Sequence, residues 1–513
     1  MRKRTVLTVL AAAAMTLHLV GSVGVAHAAD PEVVFRFSPG SGPPGTKITF
    51  SGTGCVHNAA NAFDGVFFLT QGSNSTAPVQ FFGDAAGAFS GQYDTTALQP
   101  GQYTTFATCT NAPVRGGPGD IYTVTPPLGS TYFGVAPARL LDTRDGTGTG
   151  GVASPLGTSG VVELKVTDVA GVPATGVTAV ALNVTATGAS ADSNIKVWPT
   201  GSPEPGTSNL NFTPGVSEPN LVIARVGTGG KISIRNNVGN VDVVADLQGW
   251  YSIGATGGST YVPTNPQRIL DTRDGTGTGG SVAQVGQGGI IDLGVTGVAG
   301  VPADATAVVL NMTVDQATGP ESYLTVFPAG TSIPNASNLN FVGGPATTNL
   351  VIARVGSGGQ VAIFNHLAAT DVIADVQGFF SPSATGSTYF PTDPARILDS
   401  RDGTGTPNGA VGQLGENNTI NVPVTGVGGV PTTGVSAVVL NVTVADSPGP
   451  ESFLTLFPAG TARQMTSNLN FSAGEQVPNL VIVRVVNGSV SIYNHVGSTN
   501  VIADVQGWFR ASS

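Results

Sequence analysis

The sequence predicts an all-β protein built from tandem β-sandwich, jelly-roll-like modules. Three observations carry that expectation. Stretches such as Val161-Val162-Glu163-Leu164-Lys165-Val166 alternate with the two-residue period of strands. Gly or Pro interrupts the chain every 8 to 15 residues, and no stretch sustains a 3.6-residue period. One unit of about 128 residues is written three times. It opens on Arg-(Leu/Ile)-Leu-Asp-(Thr/Ser)-Arg-Asp-Gly-Thr-Gly at Arg139, Arg268 and Arg396, and closes on Asp-(Leu/Val)-Gln-Gly-aromatic-aromatic at Asp246, Asp375 and Asp504. A period this long describes whole domains, not solenoid or propeller repeats of roughly 20–50 residues.

Residues 1–28 read as a secretory signal. Arg2, Lys3 and Arg4 form a basic start, an apolar stretch follows, and Ala26-His27-Ala28 is a small-x-small cleavage site. Thr8, Thr16, His18 and Ser22 dilute the apolar stretch, which favours a cleaved signal over a membrane helix. Residues 29–128 form a first domain. Val33-Val34-Phe35-Arg36-Phe37 alternates, Ser41-Gly42-Pro43-Pro44-Gly45-Thr46 turns, and Gln102 to Cys109 gives a later strand. Cys55 and Cys109 are the only cysteines. In an oxidising compartment they are most simply a disulfide. Closing a loop of that length is worth about 4 kcal/mol by chain entropy.

The repeats occupy residues 129–252, 259–381 and 387–510, joined by short connectors of small residues. Val180, Leu182 and Val184 share one strand face while Ala181, Asn183 and Thr185 take the other. Leu221-Val222-Ile223-Ala224 is a continuous apolar run, as expected of a strand buried on both faces. Nine or ten short strands per module are expected, strung as beads along the chain. No repeat holds a cysteine, so each core must suffice by itself.

Composition narrows the partners. Removal of residues 1–28 leaves 18 basic against 31 acidic residues, a formal charge of −13. Nucleic acid and anionic lipid both need a basic face, so neither is expected, nor is membrane insertion after signal cleavage. The sequence therefore predicts a secreted protein, extracellular or held non-covalently at the cell surface.

Two resemblances follow from motifs. The Ser-Pro-x-Ser-Gly-Pro-Pro-Gly-Thr pattern, a strand and then Gly-Thr-Gly-Cys resemble bacterial immunoglobulin-like modules of surface proteins. That implies a two-sheet sandwich pinned by Cys55–Cys109. The repeat carries Arg-Leu-Leu-Asp-Thr-Arg at Arg139, Gly-Val-Pro at Gly171, Leu-Asn-Val-Thr at Leu182, Ser-Asn-Leu-Asn-Phe at Ser208 and Asn-Leu-Val-Ile at Asn220. Together these resemble a module common in secreted actinobacterial proteins. The resemblance implies surface-associated work and supplies no catalytic residues.

Three candidate sites stand out. The first is the loop Arg139, Asp142, Arg144 and Asp145, repeated as Arg268, Asp271, Arg273, Asp274 and as Arg396, Asp399, Arg401, Asp402. Spaced carboxylates beside a Gly turn suit calcium, but an arginine occupies a position where calcium wants an oxygen donor. The alternatives are contact with a ligand, or arginine–aspartate pairing at the module edge. The second is the amide set Asn209 and Asn211, with Asn338, Asn340, Asn468 and Asn470. Amides beside an aromatic ring can hydrogen-bond sugar hydroxyls, or can simply tie loops to strand edges. The third is the closing aromatic pair Trp250-Tyr251, Phe379-Phe380 and Trp508-Phe509, expected in a core or seam.

Catalysis finds no constellation. His57, His366 and His495 are the only histidines after residue 28, and the first repeat has Asn237 where the others have His. Glu321 and Glu451 have no second carboxylate in a recognisable motif, and the first repeat lacks the Glu. No cofactor or metal is expected beyond the calcium alternative. The sequence thus predicts a non-enzymatic, multivalent binder of cell-wall or other extracellular polysaccharide. The alternative is a structural or adhesive protein whose modules meet each other or a surface protein.

Overall fold

The computed structural model describes residues 34–511, apart from 44–45, 60–61, 72–73, 96–97, 99–100, 111–120, 126–127 and 384. The expected signal segment lies outside the described residues. The chain is all-β and divides into two compact units, Met1–Pro127 and Leu128–Ser513.

The first unit is a two-sheet sandwich. Val34–Ser38, Lys47–Thr53 and Phe89–Asp94 form one antiparallel sheet. The second is built on Gly65–Gln71 and Gly101–Cys109. Phe50 and Phe67 stack between the sheets with centroids 4.2 Å apart. Cys55, just past a strand of the first sheet, is disulfide-bonded to Cys109 at the end of a strand of the second.

The second unit holds the three repeats. Each folds into two layers of four antiparallel strands, and the inner layers of the second and third repeats join through Tyr261 and Ser387 into one eight-stranded sheet. In the first repeat, the inner sheet runs Thr131–Asp142, Asp242–Ser252, Val177–Thr187, Glu218–Arg225. The outer sheet runs Val161–Lys165, Lys231–Asn236, Ser193–Pro199, Leu210–Phe212. That is eight strands per module where nine or ten were expected. Loops such as Asp142 to Leu156 make turns and single bridges instead of further strands.

The modules are not beads on a string. Val180, Leu182, Val184, Val222 and Ala224 fill the first module's own core. Ala179, Ala181, Leu221 and Ile223, on the opposite faces of the same strands, enter another core made jointly with the other two modules. Leu350 and Ile352, and Leu480 and Ile482, do the same from the second and third. An inner sheet apolar on both faces cannot face water, and burying each such side chain stabilises by roughly 1.5–3 kcal/mol. Association of the three sheets is the consequence.

Closure is cyclic. Tyr132 bridges to Ser259, Tyr261 to Ser387, and Tyr389 back to Ser130. Each of these tyrosines also packs on a closing aromatic of a neighbouring module: Tyr132 on Phe380 at 4.3 Å, Tyr261 on Phe509 at 4.5 Å, Tyr389 on Tyr251 at 4.3 Å. Their hydroxyls donate to the carbonyls of Gln248, Gln377 and Gln506 at 3.0–3.2 Å. The Gly of the closing motif is thereby explained. A Cβ on Gly249, Gly378 or Gly507 would collide with the tyrosine ring.

One group in this shared core breaks the repeat. Tyr251 stands where the other modules have Phe380 and Phe509, and its fully buried hydroxyl has no hydrogen-bond partner. An orphaned buried hydroxyl costs about 1–3 kcal/mol. Tyr251→Phe should therefore stabilise the chain by about 1 kcal/mol, read as a higher denaturant midpoint at unchanged slope. A lower midpoint would show that this hydroxyl is satisfied.

Candidate functional site

The three Arg–Asp loops are built alike. Asp142 accepts Nη1 of Arg139 at 2.9 Å, and Nε and Nη2 of Arg144 at 2.8 and 2.7 Å. Arg139 grips Asp246 with a second pair of bonds, through Nε and Nη2 at 2.9 and 3.2 Å. Arg268 and Arg273 hold Asp271 and Asp375 in the same manner, and Arg396 and Arg401 hold Asp399 and Asp504. The Arg144 hydrogen bonds keep Asp142 below the usual carboxylate range, whereas burial raises Asp246 despite its arginine. Asp145, Asp274 and Asp402 are exposed and accept the backbone N–H two residues on, closing the Gly-rich turn. Both oxygens of Asp142 are thus occupied by arginine, and no cluster of three metal-ligating side chains occurs among the described residues.

The asparagines separate into two groups. Asn209, Asn338 and Asn468 are buried, and each Oδ1 accepts a strand N–H, from Val197, Val326 and Leu456. They belong to a larger amide ring at the module seams. Asn183 donates to the Ser337 carbonyl at 2.7 Å, Asn311 to Ser467 at 2.7 Å and Asn441 to Ser208 at 2.9 Å. In return Asn349 donates to Asn183 Oδ1, Asn479 to Asn311 and Asn220 to Asn441.

Asn211, Asn340 and Asn470 are half-buried and line a cleft of about 430 Å³ where the three modules meet. Each module contributes the loop leading into its Asn-Leu-Val-Ile strand, with Val216, Ala346 and Gln476 among the lining residues. The second and third modules are stapled to the preceding one by a carboxylate. Glu321 accepts the Ser217 N–H at 3.0 Å and Glu451 the Ala346 N–H at 3.2 Å. At the third corner the equivalent residue is Asp192, one methylene shorter, and it makes no such bond to Gln476.

A second substitution enlarges that corner. Tyr323 stacks on His366, and Phe453 on His495, with centroids 4.5 Å apart in both pairs. The first module has Asn194 and Asn237 in their places, and both line the cleft. Asn194 Oδ1 and Asn340 Oδ1 are buried without a donor. Glu218 also lines the cleft, and burial, reinforced by Glu475 and Glu321, pushes its carboxyl up to about 7.

Sequence reasoning placed Asn211, Asn340 and Asn470 among its candidates but missed Glu218, Asn194 and Gln476. The available signal was the departure of the first repeat at Asp192 and Asn237. The closing aromatics are not part of this cleft: Trp250 stacks on Phe133 and Trp508 on Phe390. His57 bonds to buried Asp64 at 2.8 Å, and Asp64 also accepts the backbone N–H groups of Asn58 and Gly83, so this pair ties down a loop. No helix among the described residues is long and apolar enough to cross a membrane.

No protein-family model matches the chain, and no curated protein does. Among solved structures, one of an archaeal virus with a triple jelly roll fold and turret assembly aligns at TM-score 0.17 and 8% identity, over 75% of this chain and 99% of that one. The M60 catalytic domain with the CBM51-1 and CBM51-2 domains from Clostridium perfringens ZmpB aligns at TM-score 0.14 and 9% identity, over 94% of this chain and 55% of that one. Salmonella alpha-2-macroglobulin reacted with methylamine aligns at TM-score 0.14 and 11% identity, over 92% of this chain and 38% of that one. At such scores none bears on what this chain does.

The raised Glu218 carboxyl makes a stability prediction. Its charged form is disfavoured in the fold, so wild type loses stability as pH rises from about 4.5 through 7. Glu218→Gln should be more stable by about 3 kcal/mol above pH 7, and the difference should vanish below about pH 4.5. Denaturant midpoints across that range check it. A gap that widens on acidification would contradict the placement of Glu218.

Proposed function

We propose that this chain is an extracellular, non-catalytic binding protein that holds a carbohydrate in the cleft where its three modules meet. The observation that carries the proposal is the amide lining of that cleft. Asn211, Asn340 and Asn470 come from three modules, joined by Asn194, Asn237 and Gln476. Amides gathered from three modules suit a polyhydroxylated ligand, because each hydroxyl can donate to one and accept from another. The secretory signal read in the sequence and the Cys55–Cys109 disulfide support the extracellular setting. The Arg–Asp loops are engaged within their modules and the buried asparagines at the seams, so the ligand is placed at one cleft per chain, not at three separate repeats.

Co-sedimentation of the mature chain with insoluble neutral polysaccharides tests this. Saturable pelleting is expected, weakened at least about tenfold by Asn211→Ala combined with Asn470→Ala while the unfolding midpoint holds. A chelator should change nothing, since Asp142 and its equivalents are engaged by arginine. Absence of pelleting for wild type overturns the proposal.

A second reading, assembly into a surface layer or adhesive contact, draws on one repeated feature. Val282 and Val411 sit at equivalent positions in the second and third modules, with Val152 one residue earlier in the same loop of the first, and the three are 63, 68 and 62% exposed. Light scattering that grows with concentration in the absence of glycan, and falls on replacing these valines by Ser, would favour assembly.

A further inference from the structure

Resting on the cleft as the binding site, we infer that its ligand carries a protonated amine, of the class of an amino sugar with a free ammonium group, seated against Glu218. Asp192, Glu218 and Glu475 line the cleft, and no Lys, Arg or His does. Glu475 accepts the Ser472 N–H, but Glu218 has no hydrogen-bond or ion-pair partner among the described residues. Half-buried beside two other carboxylates, Glu218 keeps its proton up to about pH 7, and an arriving cation would stabilise its charged form.

The unfilled valences around it are of one kind. Asn194 Oδ1 and Asn340 Oδ1 are buried acceptors without donors. The amides of the cleft also carry N–H donors, but its three carboxylates accept only, so an ammonium with three N–H donors is favoured there and a carboxylate or sulfate ligand is repelled. The position of this acceptor set is not repeated around the molecule. Equivalent corners are closed by the Glu321 and Glu451 staples and by the Tyr323–His366 and Phe453–His495 stacks. Only the corner of Asp192, Asn194 and Asn237 is left open, and Glu218 stands beside it in the same cleft.

The mature chain is titrated with three soluble probes of equal length: a β-1,4-linked glucosamine hexamer, its N-acetylated counterpart and a β-1,4-linked glucose hexamer. Calorimetry at about pH 6.5 and ~0.15 M salt limits long-range attraction to the acidic surface. The glucosamine hexamer is expected to bind at least tenfold tighter than either neutral probe, with one site per chain. Glu218→Gln should bring the three within about threefold of one another while binding of the neutral probes persists. Glu416→Gln, an exposed carboxylate outside the cleft, should leave the preference intact. Equal or tighter binding of the neutral probes overturns the ammonium inference and leaves the carbohydrate proposal standing. A preference that Glu416→Gln erodes as much as Glu218→Gln also overturns it, because attraction to general surface charge would then explain it. Binding of none of the three overturns both.

Discussion

Asn220, Asn349 and Asn479 each hold two modules in register at once. Asn349 Nδ2 donates to its own module's Asn338 carbonyl and to Asn183 Oδ1 of the first module, while its Oδ1 accepts the Leu221 N–H. Asn479 and Asn220 repeat the pattern at the other two seams. An amide buried among strands costs several kcal/mol unless its donors and acceptor are met, and here the acceptor and one donor bond are met across the seam. A module by itself would leave these amides to water in place of their partners, and would leave Leu221 and Ile223 or their equivalents in water. Hydrogen-bond specificity and apolar burial therefore demand the same partner, which makes the arrangement cooperative.

The Arg–Asp loops fit this account. A buried Asp246 is tolerable only with Arg139 spread across it and with the Ser337 N–H of the next module donating to it. Removing one member would leave an uncompensated charge, which costs more than the assembled pair contributes. The loops look like cation sites in the sequence because carboxylates alternate with glycines. They act as clamps within each module, Arg139, Arg268 and Arg396 tying the opening strand to the closing one.

The fold class was legible because strand period and turn residues are local signals. The two-face burial of Leu221-Val222-Ile223-Ala224 was legible as well, yet its meaning was not. A continuous apolar run says that both faces are covered without saying by what, and a second module of the same chain lies far off in sequence. The amides were ambiguous for the same reason. Asn183 and Asn211 look alike in a strand pattern, but one faces a seam and the other the cleft, and only the packing of three sheets separates them. Glu218 carried no motif at all. Its significance comes from Glu475 and Glu321, which stand 257 and 103 positions further along the chain.

Covalent linkage explains why the cleft can exist. Three separate chains around one axis would carry every substitution three times, so opening one corner would open all three and remove both staples. Within one chain, Asp192, Asn194 and Asn237 alter a single corner while Glu321 and Glu451 keep the other two shut. The ring retains two intact seams to hold the third in place. The first repeat's departures from its copies thus lie where a loss of packing can be absorbed, and there the unpaired acceptors collect. Tyr251 is the contrasting case, because its extra hydroxyl lies buried in the shared core without a partner. Departures at the cleft leave groups free for a ligand, whereas the departure in the core only costs stability.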